Sequence, residues 1–346
     1  MVAQLLKFLL AVGIGAAGGM AFSLIGTPLP FMLGAMTATT IASFCKLPLA
    51  MPKLARNCLA TVLGVMFGSV LDVSGIPTGS ALVVLALLVV LYLASMVGLG
   101  WLFFRRAGFD SVTSYFAAVP GNLSEIVVLA EDCGADVKKV VLVHSARLAV
   151  TVTAISLSLR YLLGLEVVAL TPKPGLPPGW LDLAILVGCA IVGSLAGKLL
   201  RIPAPFLIGP LIASIIVHAI PLTQSAPPAA MVAGAQAVLG TFIGVRFAGV
   251  RLNEVFGTLA ISLIWALSAL LLVAAFAAGV SYLLGEAFDA MLLAFSPGGV
   301  AEVSALAVAA HISLGFVATI QIIRMSCLVV IGPIVVRRLF GSKVTH

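Results

Sequence analysis

Charge is scarce in this sequence. Asp, Glu, Lys and Arg make up 9% of its 346 residues and hydrophobic residues 62%, where a soluble domain carries about 25% charge. Water is therefore not the main solvent of the folded chain, and the composition predicts a polytopic membrane protein. Cysteine and histidine are few. Cys45, Cys58, Cys133, Cys189 and Cys327 are odd in number and show no CxxC spacing, which argues against a disulfide framework or a zinc site. Four of them, in or beside apolar segments, read as small packing residues. The four histidines are dispersed, one of them being His346, and no HxxxH or ExxH occurs. A copper or iron oxygenase needs several converging His or carboxylate ligands, so no metal, cofactor, catalytic residue or enzymatic activity is expected. No GxxxxGK[ST] loop is present, so ATP is not the direct energy source of any work the protein does.

The net charge of +7 would suggest nucleic acid in a soluble protein. Here the basic residues come in ones and twos, the pattern of basic loops held on the cytoplasmic side of a membrane. No nucleic-acid partner is expected, and no segment outside the apolar runs is long enough for a DNA-binding module.

Long apolar runs are abundant. Leu82–Phe104 and Thr258–Leu284 exceed the roughly 20 residues that cross a hydrocarbon core of about 30 Å. The chain also repeats itself. TPLPFMLGAM (27–36) matches IPAPFLIGPL (202–211), VLGVMFGSV (62–70) matches VLGTFIGVR (238–246), and VPGNLSE (119–125) matches SPGGVAE (296–302). The last alignment carries Arg147 onto Arg324. Three landmarks in one order define a duplication, with repeat 1 at 1–170, a Pro/Gly linker at 171–180 and repeat 2 at 181–346, together one transmembrane domain. The N-terminal run has a partner in repeat 2, so it reads as the first membrane helix rather than a signal peptide.

Repeat 1 holds six apolar elements, roughly 5–24, 29–45, 57–72, 81–104, 112–131 and 138–163. If all six cross, the Lys and Arg outside the spans divide eleven to six between the two sides. If the fifth element of each repeat enters and leaves by one face, they divide fifteen to two, only Arg160 and Lys173 lying outside. The positive-inside rule selects the second arrangement. The expected fold is an all-α integral membrane protein of two inverted repeats, each with five transmembrane helices and one Pro-Gly-broken re-entrant hairpin. Both termini would be cytoplasmic.

The breaks carry the candidate substrate- or ion-binding residues: Pro120, Gly121, Asn122, Ser124 and Glu125 in one, Pro297, Gly298, Gly299 and Glu302 in the other. Non-helical backbone at membrane depth is tolerated only where protein or a water-filled cavity satisfies it, and in inverted-repeat transporters such breaks mark the substrate site. Asn122 and Glu125 also resemble a capping box. A cap is worth about 1 kcal/mol, whereas a mid-membrane charge costs about 2.5–3.5 kcal/mol, so a Glu in both copies suggests that the charge itself is used. Arg147 lies about 16 Å into the sixth element at 1.5 Å per residue, at mid-bilayer. Arg147 and Arg324 either form fixed ion pairs with the glutamates or hold an anionic substrate group while Glu exchanges a proton. Three residues before each Arg, on the same helix face, stand His144 and Gln321. The prolines of TPLPF and IPAPF suit helix starts, and GxxxG spacings such as Gly64–Gly68 and Gly240–Gly244 suit tight helix packing. The fourth element of each repeat lacks charge and would face the lipid bilayer or a second copy in a homodimer.

With TPLPF, PGNLSE…HSAR and SPGGVAE…QIIR in view, the chain resembles the AbrB family of bacterial membrane proteins across most of its length. That resemblance implies an internal AbrB duplication. It brings three functional labels, ammonia monooxygenase, regulator of gene expression and transporter, and no set of catalytic residues. The first lacks its ligands here. The residues favour a secondary transporter of a small, anionic organic solute coupled to H+ or Na+. The alternative is a membrane sensor that affects gene expression indirectly, without transport.

Overall fold

In the computed structural model the described residues are 2–27, 29–71, 76–121, 123–165, 179–202, 204–220, 222–223, 225–249 and 252–340. Among them there are helices and no strand. In chain order these are α1 (Val2–Ile25), α2 (Pro30–Phe44), α3 (Lys53–Val70), α4 (Gly79–Arg106), α5 (Ser111–Ala118), α6 (Leu123–Asp132), α7 (Val137–Leu157, extended by a π-helical turn at Ser158–Leu162), α8 (Trp180–Leu199), α9 (Pro205–Ala219), α10 (Ala229–Val245), α11 (Leu252–Leu284), α12 (Phe288–Phe295), α13 (Val300–Ala309) and α14 (Leu314–Phe340). The linker stretch 171–178 lies outside the described residues.

Among the described residues five helices are long and apolar enough to cross a membrane: Gln4–Ile25, Gly79–Arg106, Val137–Leu162, Trp180–Leu199 and Phe256–Leu284. Each exceeds or meets the length that spans about 30 Å of hydrocarbon. The expected apolar elements all appear as helices, and the fifth of the first half appears as two, α5 and α6, with Val119–Gly121 outside both. Proline removes a backbone donor and glycine weakens the helix, so the interruption falls at Pro120-Gly121. The segment around Pro297-Gly298 is interrupted in the same way, between α12 and α13.

The chain packs as two compact units, each assembled from both halves of the sequence. The first takes residues 1–75, 153–251 and 300–315. Within it α2 packs on α1 and α10, while α9 packs on α8 and α3. Each trio thus combines two neighbouring helices of one half with a single helix from the other. Small residues make this possible. A Cβ on Gly34 would strike the Gly18 carbonyl, and one on Gly193 would lie 2.6 Å from the Gly209 carbonyl oxygen. Likewise, a Cβ on Gly240 would strike the carbonyl of Met32, and one on Gly68 would sit 2.5 Å from the carbonyl oxygen of Leu211. Between apolar helices in lipid, close backbone approach of this kind replaces the hydrophobic drive as the source of attraction. Hydroxyls fasten the same contacts: Ser43 donates to the Gly244 carbonyl at 3.0 Å and Ser214 to the Val65 carbonyl at 2.8 Å. Both α2 and α9 begin with proline after a residue in the left-handed region, Leu29 (φ 44°) and Ala204 (φ 50°).

The second unit takes residues 76–152, 252–299 and 316–346. Here α4 packs on α5 and α11, and α11 packs on α12. Its interior is aromatic: Phe103, Phe104, Phe109 and Trp265 form one contact chain, and Tyr92, Phe276 and Phe295 another. The start of α5 and the start of α7 meet, because the Asp136 amide donates to the Thr113 hydroxyl at 2.8 Å. Phe109, just before α5, accepts from Arg105 Nη1 at 2.9 Å and carries Lys139 Nζ over its ring at 5.1 Å.

Candidate functional site

The site is built around two very short helices. At eight residues each, α5 and α12 are too short to hold themselves together in isolation, and their last carbonyls end inside the protein where the helix is interrupted. An unsatisfied backbone carbonyl in an apolar interior costs several kcal/mol. The α7 and α14 side chains supply the missing donors.

On α7, His144 Nε2 donates to the Phe116 carbonyl at 2.9 Å, and both terminal nitrogens of Arg147 approach the Val119 carbonyl at 3.4 and 3.5 Å. Arg147 Nη2 also lies 3.2 Å from His144 Nδ1. A guanidinium can only donate, so Nδ1 is the acceptor and the ring proton sits on Nε2. On α14, Gln321 Nε2 donates to the carbonyls of Leu293, Ala294 and Ser296 at 3.2, 3.0 and 3.3 Å. Arg324 donates to the Ser296 carbonyl and, at 2.9 Å, to that of Gly298. The two clasps work alike: a neutral donor serves the last turn and a cation serves the chain just beyond it. A helix C-terminus carries about half a negative charge, so the guanidinium is also favoured electrostatically there.

Both arginines are 3% exposed, and Nε of each is buried without a hydrogen-bond partner. Among the described residues of this unit, neither is paired with a carboxylate. Tyr92, fully buried on α4, lies within electrostatic reach of both guanidinium groups, and its hydroxyl donates to Met96 Sδ at 3.0 Å. The sequence reading missed Tyr92. Its signal was present: a single tyrosine at the middle of the α4 apolar run is a polar tip that needs a partner.

Pro120, Pro297 and Gly298 are buried at the breaks, and Gly121 and Gly299 are half-buried. Glu302 lies in the first turn of α13 and is 8% exposed. Ser124 and Glu125 fall within α6, but their side chains lie outside the described residues, as does Asn122. Among the described residues no three His, Cys, Asp or Glu side chains come together in a way that could hold a metal ion.

Long apolar helices, interrupted helices and buried cations capping their broken ends define an all-helical membrane-type protein. The chain belongs to the AbrB family, whose model, described as "Transition state regulatory protein AbrB", matches residues 31–340. It is 27% identical to "Putative regulator AbrB" of Escherichia coli (strain K12), covering 96% of this chain and 94% of that protein. It is 29% identical to "Uncharacterized protein YhjN" of Bacillus subtilis (strain 168), covering 95% and 92%. No solved structure matches.

Proposed function

We propose that this protein is a secondary transporter of a small anionic organic solute, coupled to H+ or Na+, and not an enzyme. The observation that carries this reading is the pair of broken helices whose carbonyl ends are clasped by Arg147 and Arg324. With those ends neutralised within the protein, the following helices α6 and α13 begin inside the apolar region. A helix start favours an anion, and broken helices in transporters place such starts at the solute. Glu125 and Glu302 are the candidate proton or sodium carriers. The assembly of each compact unit from both halves supports inverted repeats, an arrangement that alternating access uses. The Thr113–Asp136 and Arg105–Phe109 contacts support a re-entrant α5–α6 hairpin that leaves and returns at one end. The membrane in this reading is the bacterial inner membrane, with both termini cytoplasmic.

The test is flux. Purified protein in proteoliposomes, offered a panel of small carboxylates under imposed H+ or Na+ gradients, should accumulate at least one. Glu302→Gln should insert and fold while losing gradient-driven accumulation. The name of the Escherichia coli relative, a regulator, favours a second reading, a membrane sensor that alters gene expression without moving its ligand. Ligand-induced stabilisation with no flux under any gradient would select the sensor.

A further inference from the structure

The two clasps differ at one position. Where α14 presents Gln321 to the last turn of α12, α7 presents His144 to the last turn of α5. An amide keeps its charge at any pH, whereas an imidazole changes it between about pH 5 and pH 8. His144 is 3% exposed. Its Nε2–H is given to the Phe116 carbonyl, and its bare Nδ1 accepts from Arg147 Nη2 at 3.2 Å. A proton added to Nδ1 would turn that acceptor into a donor and set a second cation against the first. The neighbouring elements bring further ionisable groups. Arg324 on α14 lies within electrostatic reach of Arg147, and so does Tyr92 on α4, whose hydroxyl is turned to Met96 Sδ. Tyr115 stands on α5, and Asp136 pairs with Lys139 at 3.4 Å around the start of α7. The Glu125 side chain on α6 lies outside the described residues. Among the described residues no carboxylate pairs with either arginine.

Arg147 is also the arginine that its carbonyl can spare. Its bonds to Val119 are 3.4 and 3.5 Å long, that carbonyl also receives the Gly121 amide at 3.1 Å, and Nε is buried without a hydrogen-bond partner. Arg324, by contrast, serves two carbonyls. A guanidinium that leaves Val119 for an anion orphans no carbonyl, and once the anion offsets its charge, Nδ1 can take a proton. We propose that His144 is a proton-binding site that fills only together with an anion at Arg147, each raising the other's affinity by the same factor. The site rests on the reading of an anionic solute at the broken helices. It selects H+ as a coupling ion and adds a carrier to the two glutamates. In the step one proton joins the Nδ1 lone pair and the Arg147–His144 hydrogen bond is lost. A monocarboxylate and its proton thus arrive with no net change in buried charge. The second clasp, with Gln321, has no such state and stays a fixed anchor.

Nitrogen NMR of the full chain labelled with 15N-histidine in lipid bilayers reads the ring directly. The His144 signal is assigned by its absence from His144→Gln or, should that variant not fold, from His144→Asn. With no carboxylate added, the ring should keep its Nε2–H tautomer from about pH 8 to about pH 5. With lactate, pyruvate, glycolate or benzoate, which stay ionised over that range, at least one should convert it to the doubly protonated form. Calorimetry should show that anion binding takes up a proton and tightens by up to about tenfold per unit fall in pH, the linkage of one proton. His144→Gln should fold, because Gln321 already serves carbonyls in this way, and should bind the same anion with no pH dependence. A ring that titrates without any anion, or that keeps the Nε2–H tautomer in all four, overturns the proposal, as does a pH dependence that survives in His144→Gln. Accumulation driven by Na+ with no proton uptake would keep the transport reading and overturn this one. Proton uptake on binding, lost in His144→Gln but unaccompanied by flux, would do the reverse.

Discussion

Arg147→Ala and Arg324→Ala remove the same side chain from two clasps of the same plan, yet their consequences should differ. Arg324 donates to two carbonyls, those of Ser296 and Gly298. Arg147 reaches one, that of Val119, at 3.4 and 3.5 Å, and Val119 also receives the Gly121 amide at 3.1 Å. A hydrogen bond to a charged group is worth about 1.5–3 kcal/mol, and side-chain hydrogen bonds between membrane helices average about 0.6 kcal/mol. Bonds to two carbonyls place the cost of Arg324→Ala at about 2–4 kcal/mol, while two long ones to a single carbonyl and one to His144 Nδ1 place Arg147→Ala lower, at about 1–2 kcal/mol. Arg324→Lys should recover only part of the loss, because an ammonium lacks the fork that serves two acceptors. Reversible unfolding of the ligand-free protein in mixed micelles of mild detergent and SDS measures all three. Equal losses for the two alanine variants, or a larger loss at Arg147, would refute the reasoning.

The re-entrant reading predicts that Arg106→Cys and Lys138→Cys react with impermeant thiol reagents from the same side of the membrane, in a background lacking the native cysteines; opposite accessibility would turn α5 and α6 into a crossing. Gly34→Ala should destabilise by about 1–3 kcal/mol, because its Cβ meets the Gly18 backbone and neither chain can yield, whereas Gly188→Ala, with open space at Cβ, should be neutral or gain up to about 1 kcal/mol; similar unfolding free energies for the two would contradict the packing. Asp110 accepts the Thr113 amide at 2.9 Å; desolvation pushes its carboxyl pKa up, but hydrogen bonds from Thr113 and Val112 outweigh it and hold the pKa below the usual value. Its contribution is thus complete above the ordinary aspartate range and is lost as pH falls through the lowered value, so Asp110→Ala should cost about 1 kcal/mol at neutral pH and much less in acid, while Asp110→Asn should cap without that pH dependence.

The broken helices were legible because Pro-Gly inside an apolar run has one physical meaning at any depth: the ladder stops there. The arginine depth was legible from rise per residue alone. What the arginines hold was not, since backbone carbonyls are recognised wherever a helix ends and leave no mark in the sequence. Carboxylates at a matching spacing drew attention because side chains, unlike carbonyls, can be counted. The left-handed turns at Leu29 and Ala204 were hidden for a similar reason: both are ordinary apolar letters, placed in that conformation by the packing around them. GxxxG spacing announced that helices would come close at Gly64 and Gly240 but not which helices, because a bare backbone surface has no side chain to name its partner.

That exchange of partners has a consequence for how the protein comes into being. The Thr61 hydroxyl on α3 donates to the Phe206 carbonyl, 145 residues later in the chain, and the glycines beside it wait for α9 as well. While the first half is being made, α3 stands in the bilayer with its most closely fitting face open, and the α1–α2 pair lacks α10. Neither half can finish its own packing, and closing so long a loop is the slow step in assembling such contacts. A cut within 171–178 would therefore not yield two small folded proteins. It would yield two fragments with unfilled grooves, each shaped for the helix the other carries.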